Sequence, residues 1–247
     1  MKRKICALVC LGAMLFAGWK LWSIYAEYAE GEKLYDDLAG QYTIVTWEAE
    51  EQEERSEVPI SVSFEELLDE CPDVVGWLYC AGTPINYPVV QSGDNEYYLR
   101  RMMNGKYNGS GTLFVDYRSQ GDFSDWNTVI YGHNMNNDSM FGILPEYLDP
   151  EFYEDHPVMY LLAPEKKFRV EILGGYVTPS DSESYTIPAT KEERDALIEK
   201  AVRSSSFVSG VETTEEDHLV TLSTCVYDYE NARYVLVGVL REMEESV

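Results

Sequence analysis

Eight short runs rich in β-branched and aromatic residues, separated by clusters of turn formers, fill the chain from residue 74 onward. They lie at 74–79, 85–90, 111–115, 128–131, 158–162, 168–178, 219–222 and 234–240. All but 168–178 are too short for a core helix, and each is long enough for a strand. So many strands in one domain would leave exposed edges unless the sheet closes on itself. The expected fold is therefore mostly β with added helices, built on an eight-stranded closed or nearly closed antiparallel barrel. One segment breaks the β pattern. Thr190 can cap a helix of about 14 residues with Glu193 at its third position, and Ala196, Leu197, Ala201 and Val202 are expected to line its buried side before 204–206 stops it. A second capping pair, Ser63 and Glu66, opens a short helix before the barrel, which Pro72 ends.

The N-terminus has a different character. Lys2, Arg3 and Lys4 precede a stretch without charge from 5 to 19, and after Lys20 the segment 21–25 is uncharged again. Together these residues match about one bilayer span, with Lys20 near enough to the end to snorkel. The run is apolar on every face, unlike a helix that lies on a soluble core. Only Ala26 and Ala29 resemble a cleavage site, and Glu27 and Tyr28 interrupt them, so an uncleaved signal anchor is expected. The basic cluster puts the N-terminus inside the cell and the rest of the chain outside. Residues 26–57 are polar and acidic, with six Glu between 48 and 57, as in a stalk that is partly helical near the membrane and then solvated. The expected organisation is a basic stub and anchor over 1–25, an acidic stalk over 26–59 and an extracellular domain over 60–247.

Charge and cysteine usage narrow the function. Nineteen Lys and Arg against 44 Asp and Glu give a net charge of -25, which repels a phosphate backbone and excludes nucleic acid as a partner. Five Cys without a CxxC pair, and three His, disfavour a zinc site, so the chemistry is expected to run on side chains without metal or cofactor. The acidic stretch 149–155 could bind calcium weakly at most. With Cys6 and Cys10 in the anchor, Cys71, Cys80 and Cys225 remain, an odd number that leaves at least one free thiol. Cys71, before Pro72 near a helix end, and Cys80, in a strand, are expected as small buried thiols rather than as a disulfide.

Two residues stand where strands leave the barrel, and a third where the next strand begins. Cys225 follows the run Leu219-Val220-Thr221-Leu222-Ser223-Thr224, and His133 follows Thr128-Val129-Ile130-Tyr131-Gly132. Arg233 opens the run that a hairpin would lay beside the cysteine's strand. Singly, each has a plain reading: a strand cysteine, a solvated imidazole, a surface cation near Asp228 or Glu230. Jointly they supply a thiol nucleophile, a proton carrier and a guanidinium for a developing oxyanion, the requirements of acyl transfer. Unperturbed groups would hold about 3% thiolate and about a quarter imidazolium at pH 7, so about 1% of molecules would carry the active pair. Arg233 is expected to raise that fraction by favouring the thiolate. His156 and His218 are reserve candidates for the base.

The strings Thr221-Leu222-Ser223-Thr224-Cys225 with Arg233 after it, and Ile130-Tyr131-Gly132-His133-Asn134 before it, resemble the sortase family of cysteine transpeptidases. The resemblance extends through Asp73-Val74-Val75-Gly76-Trp77, Thr83-Pro84-Ile85-Asn86-Tyr87-Pro88-Val89-Val90-Gln91 and Asp94-Asn95-Glu96-Tyr97-Tyr98-Leu99, and covers about residues 60–242. The helix between late strands is similar to the class B branch, and the aromatic Asp-Pro lid of class C is absent. By this resemblance Cys225 is the nucleophile, His133 the general acid and then base, and Arg233 the oxyanion clamp. Asn95, Tyr131, Ser223 and Thr224 fall where class B enzymes line the substrate groove, with Tyr185 and Ile187 near its wall. Val226 stands where some members carry an acidic residue. The implied reaction cleaves a secreted protein after the Thr of a C-terminal sorting motif, of Asn-Pro-x-Thr or Pro-x-Thr-Gly type. The acyl group then passes to an amine of a cell-wall peptidoglycan precursor. A papain-like protease would place its Cys early and its His late, the reverse of the order here. The rival reading is a membrane-tethered extracellular binding barrel with an inert thiol.

Overall fold

The computed structural model describes residues 2–45 and 58–243. A long helix, α1 (Lys2–Tyr42), leads into a short strand β1 (Thr43–Val45), which pairs antiparallel with β2 (Ile60–Val62). Helix α2 (Phe64–Glu70) then precedes the barrel strands β3 (Val74–Tyr79), β4 (Asn86–Val90), β5 (Leu113–Val115) and β6 (Asn127–Tyr131). A small helix α3 (Pro150–Asp155) separates these from β7 (Val158–Leu162) and the long β8 (Lys167–Pro179). After α4 (Lys191–Ser204), the chain closes with β9 (His218–Cys225) and β10 (Ala232–Glu242). All eight expected runs are strands.

The barrel is closed in the order β10-β8-β7-β3-β4-β5-β6-β9, and it is mixed rather than antiparallel throughout. β4 runs parallel to β5, and β6 parallel to β9. Parallel neighbours need a crossover instead of a tight turn. The segments 91–112 and 132–217 provide these crossovers; the first ends, and the second begins, at the end of the barrel where β6 and β9 exit.

Two expectations about helices change. On α4, Thr190 Oγ1 accepts from Glu193 N at 3.3 Å, as the capping pattern predicts. The buried face, however, is Arg194, Leu197 and Ala201; Ala196 is exposed, and so is Val202 at 56%. Arg194 turns that face inward because its Nη1 donates to the carbonyls of Thr214, Glu215 and Asp217, which tie the helix to the loop before β9. At α2, Ser63 occupies the N-cap position without a side-chain capping bond.

Residues 26–45, expected to act as a spacer, pack against the barrel instead. Tyr35, Leu38 and Tyr42 form one helical face that enters the main core. Glu27 accepts from Gly109 N at 2.6 Å and Tyr42 donates to Glu70 at 2.5 Å. The glutamate-rich stretch 48–57 lies outside the described residues. Earlier in α1, Leu11, Met14, Leu15, Phe16, Trp19, Leu21, Trp22, Ile24 and Tyr25 are exposed. Among the described residues no helix is long and apolar enough to cross a membrane.

Candidate active site

Alternation along β9 decides which side of the barrel carries the site. Val220 and Leu222 enter the interior with Tyr234 and Leu236 of β10. Leu219, Thr221, Ser223 and Cys225 therefore face outward, opposite Val239, Val237, Val235 and Arg233. On this outer face Leu219, Val235, Val237 and Val239 pack with Leu197 and Ala201 of α4. Beyond the helix the same face is open, and there it ends in Cys225 and Arg233. Directly opposed residues on paired strands have Cβ atoms about 5 Å apart, so the register sets Arg233 beside Cys225, and Arg233 Nη1 donates to Ala232 O at 3.0 Å.

His133 is delivered by the strand on the other side of β9. Tyr131 of β6 stands opposite Ser223, and Gly132 N extends the pairing by donating to Ser223 O at 3.1 Å. A larger residue at 132 would force Leu113 and Phe141 to move, because a Cβ there would lie 2.5 Å from Leu113 Cδ2 and 2.6 Å from Phe141 Cδ2. Thr224 Oγ1 donates to Gly132 O at 2.9 Å, and Asn134 Nδ2 donates to Cys225 O at 2.7 Å. The exits of β6 and β9 are thus stitched on both sides of His133. Its Nε2 lies 2.6 Å from Leu99 O. A carbonyl only accepts, so Nε2 carries the hydrogen and Nδ1 is the open nitrogen. Burial holds the imidazole below its usual range, helped by Arg100 and opposed by the bond to Leu99.

Cys225, His133 and Arg233 line one cleft of about 230 Å³ together with Asn95, Tyr131, Tyr185, Ser223 and Thr224. Ile187 lines an adjoining cavity that shares Asn95, Tyr131 and Tyr185 with the first. Tyr185 OH lies 2.8 Å from Ser223 Oγ, and its ring stacks on Tyr131 at 6.0 Å. Burial pushes its phenol up to about 12, with Arg233 opposing. The other histidines are elsewhere: His156 stacks on Phe152, and His218 stacks on Trp126 while bonding Asp125 O. Cys71 and Cys80 are free and buried, and burial pushes both thiols up, Cys80 to about 11. Val226 packs in the inner core, which accounts for an apolar residue there. Asp149 caps α3, and among the described residues no group of three or more His, Cys, Asp or Glu is placed to hold a metal.

Sequence reasoning missed the hub of the cleft wall. Asp116, just past β5, takes two bonds from Arg118 at 2.9 and 2.8 Å, one from Tyr131 OH at 2.9 Å and one from Asn95 Nδ2 at 3.1 Å. Arg118 also donates to Tyr185 O at 3.2 Å. One ion pair therefore joins three groove residues from three separate segments. Burial alone would raise the Asp116 carboxyl, but Arg118 and Tyr131 outweigh it and hold it at about 2. The available signal was position: Asp116 ends a strand run, as Cys225 does.

A model of the sortase domain matches residues 81–241. Sortase B of Listeria monocytogenes is 37% identical over 243 residues, 96% of each chain. Among solved structures, the Staphylococcus aureus sortase B-substrate complex superposes with a TM-score of 0.69 at 29% identity, covering 73% of this chain and 85% of that one. Bacillus anthracis sortase B in complex with AAEK1 gives 0.73 at 32% identity, covering 88% and 99%. The matched span contains the whole cleft from Asn95 to Arg233, and the chain belongs to the sortase family as a class B sortase, a cysteine transpeptidase.

Proposed function

We propose that Cys225 attacks the Thr carbonyl of a sorting motif, Asn-Pro-x-Thr or Pro-x-Thr-Gly, in a secreted protein. The C–N bond breaks, the leaving amine takes a proton from His133, and a Cys225 thioester remains. An amine of a peptidoglycan precursor then attacks the thioester, gives its proton to His133 and releases the thiolate. Arg233 donates to the oxyanion in both steps. Asn95, Tyr131, Tyr185, Ser223, Thr224 and Ile187 hold the motif. No cofactor takes part. Residues 1–25 anchor the chain in a single pass, and the barrel faces outward. The basic Lys2-Arg3-Lys4 cluster and the exposed apolar side chains along early α1 support that placement.

The observation that carries this reading is the convergence of a half-exposed thiol, an imidazole with Nδ1 open and a guanidinium in register at one cleft. Incubating the full chain in detergent with peptides of both motif types, followed by intact-mass measurement, tests it. A truncated-peptide adduct is expected on the wild type and not on Cys225→Ala. No adduct with any peptide, together with iodoacetamide labelling no faster than that of free cysteine, would return the chain to an inert-thiol barrel.

A further inference from the structure

We infer that Tyr35 of α1 is a positioning residue for His133, acting through Thr112 and the Leu99 carbonyl. The inference rests on His133 being the group that moves the proton. Its Nε2–H is fixed by Leu99 O, and Leu99 is the middle residue of a single 3-10 turn, Tyr98–Arg100. Thr112 clamps that turn on both sides: its N donates to Tyr98 O at 3.1 Å and its Oγ1 to Arg101 O at 2.8 Å. Gly111, at φ +60°, lets the backbone approach so closely that a Cβ would sit 2.6 Å from Tyr98 O and 2.7 Å from Leu99 O. Behind this strap stands Tyr35, whose hydroxyl donates to Gly111 O at 2.6 Å and lies 2.9 Å from Thr112 Oγ1. Because the Thr112 proton goes to Arg101, the Tyr35 proton is shared between the two acceptors.

The consequence concerns which nitrogen carries the hydrogen. The two tautomers of a neutral imidazole are close in energy, and the bond made by one nitrogen selects between them. Here that bond goes to a carbonyl whose direction is set by residues 111–112 and, behind them, by α1. A loosened Leu99 carbonyl would let hydrogen move to Nδ1, and that ring could not accept the proton at its open nitrogen. Arg100 is the charged group that acts on the imidazole, and Cys225 and Arg233 line the same cleft. The helix that leads from the N-terminus is thereby part of the proton-transfer apparatus.

Tyr35→Phe tests this cleanly, since the ring keeps its edge contact with Tyr87 at 5.5 Å and loses only the hydroxyl. With three histidines in the chain, a long-range 1H–15N spectrum of the full protein in detergent, assigned by His133→Asn, reads the tautomer directly. The wild type is expected to show a protonated Nε2 and a bare Nδ1. In Tyr35→Phe and Thr112→Val the two signals should move toward each other, with kcat lower by about threefold to tenfold and KM unchanged. Thr112→Ser should restore both readings. Glu27→Ala removes a different α1 contact, the 2.6 Å bond from Gly109 N, and should leave the spectrum and kcat as they are. An unchanged His133 tautomer in Tyr35→Phe and Thr112→Val would overturn the inference, as would an equal loss of kcat in Glu27→Ala. The spectrum decides the positioning role even in a chain that forms no acyl adduct, so it fails separately from the proposed chemistry.

Discussion

The outer face of β9 and β10 has a closed end and an open end, built on one register. At the closed end Leu219 faces Val239, and both lie under Leu197 and Ala201 of α4. At the open end Cys225 faces Arg233, and the cleft reaches them. The backbone ladder is the same at both ends; what differs is whether a helix covers it. Coverage requires apolar side chains, because an unpaired charge under a helix is costly. The open end can hold a thiol and a guanidinium because the ladder positions them rigidly and solvent still reaches them. The two ends therefore separate a covered core from an open cleft, and under the proposed chemistry substitutions should divide into effects on stability and effects on activity.

The largest effect belongs to the open end. Arg233→Ala should lower kcat/KM by about 100-fold to 1,000-fold, the usual loss for one oxyanion donor, while the denaturation midpoint barely moves. Side-by-side peptide-transfer kinetics and urea titration measure both. Equal loss of activity and stability would show that the guanidinium holds the strand and not the oxyanion.

Asp116→Asn should blur the division, since this carboxylate is buried and also holds the groove wall. In the folded chain its carboxyl is held at about 2, below its ordinary 3.8, so its contribution is complete above about pH 4 and is lost as pH falls through 2. That depression corresponds to about 2 kcal/mol at neutral pH. Urea titrations from pH 5 down to 2 should show the wild type losing this increment and the variant, already lower at pH 7, losing none. The peptide KM should rise as well, because Asn95, Tyr131 and Tyr185 lose their common anchor.

How much of this was legible in the sequence follows from the physics of each part. Eight strands were readable because period-two apolar runs are local. The meeting of Cys225, His133 and Arg233 at one cleft was readable because the first two follow strand runs and the third opens the run after them, and their neighbours resemble a known family. The two parallel seams were not readable, since pairing across long crossovers is decided by closure of the whole barrel. Nor was the packing of α1, whose Tyr35-Leu38-Tyr42 face is short and lies within an acidic segment. Asp116 and Arg118 are two residues apart, a spacing with no regular signature, and their meaning comes from Asn95, Tyr131 and Tyr185 arriving from elsewhere.

The smallest expected effect tests the closed end, where the sequence pattern put Val202 on the buried side of α4. The helix is rotated so that Leu197 and Ala201 face β8 and β10 while Val202 is 56% exposed. An exposed valine contributes little burial, and its β-branched side chain is a mediocre helix former. Val202→Ser should therefore change unfolding free energy by no more than about 0.5 kcal/mol. Leu197→Ala, one turn earlier on the covered face, should cost about 2–4 kcal/mol through lost burial and the space left behind. Urea titration of both variants reads the rotation of the helix directly. A cost at Val202 approaching that at Leu197 would mean that α4 presents the face its apolar pattern suggested, and that Arg194 does not set its orientation. Neither substitution should alter transfer kinetics, because both lie under or on the cover and away from the open end of the ladder.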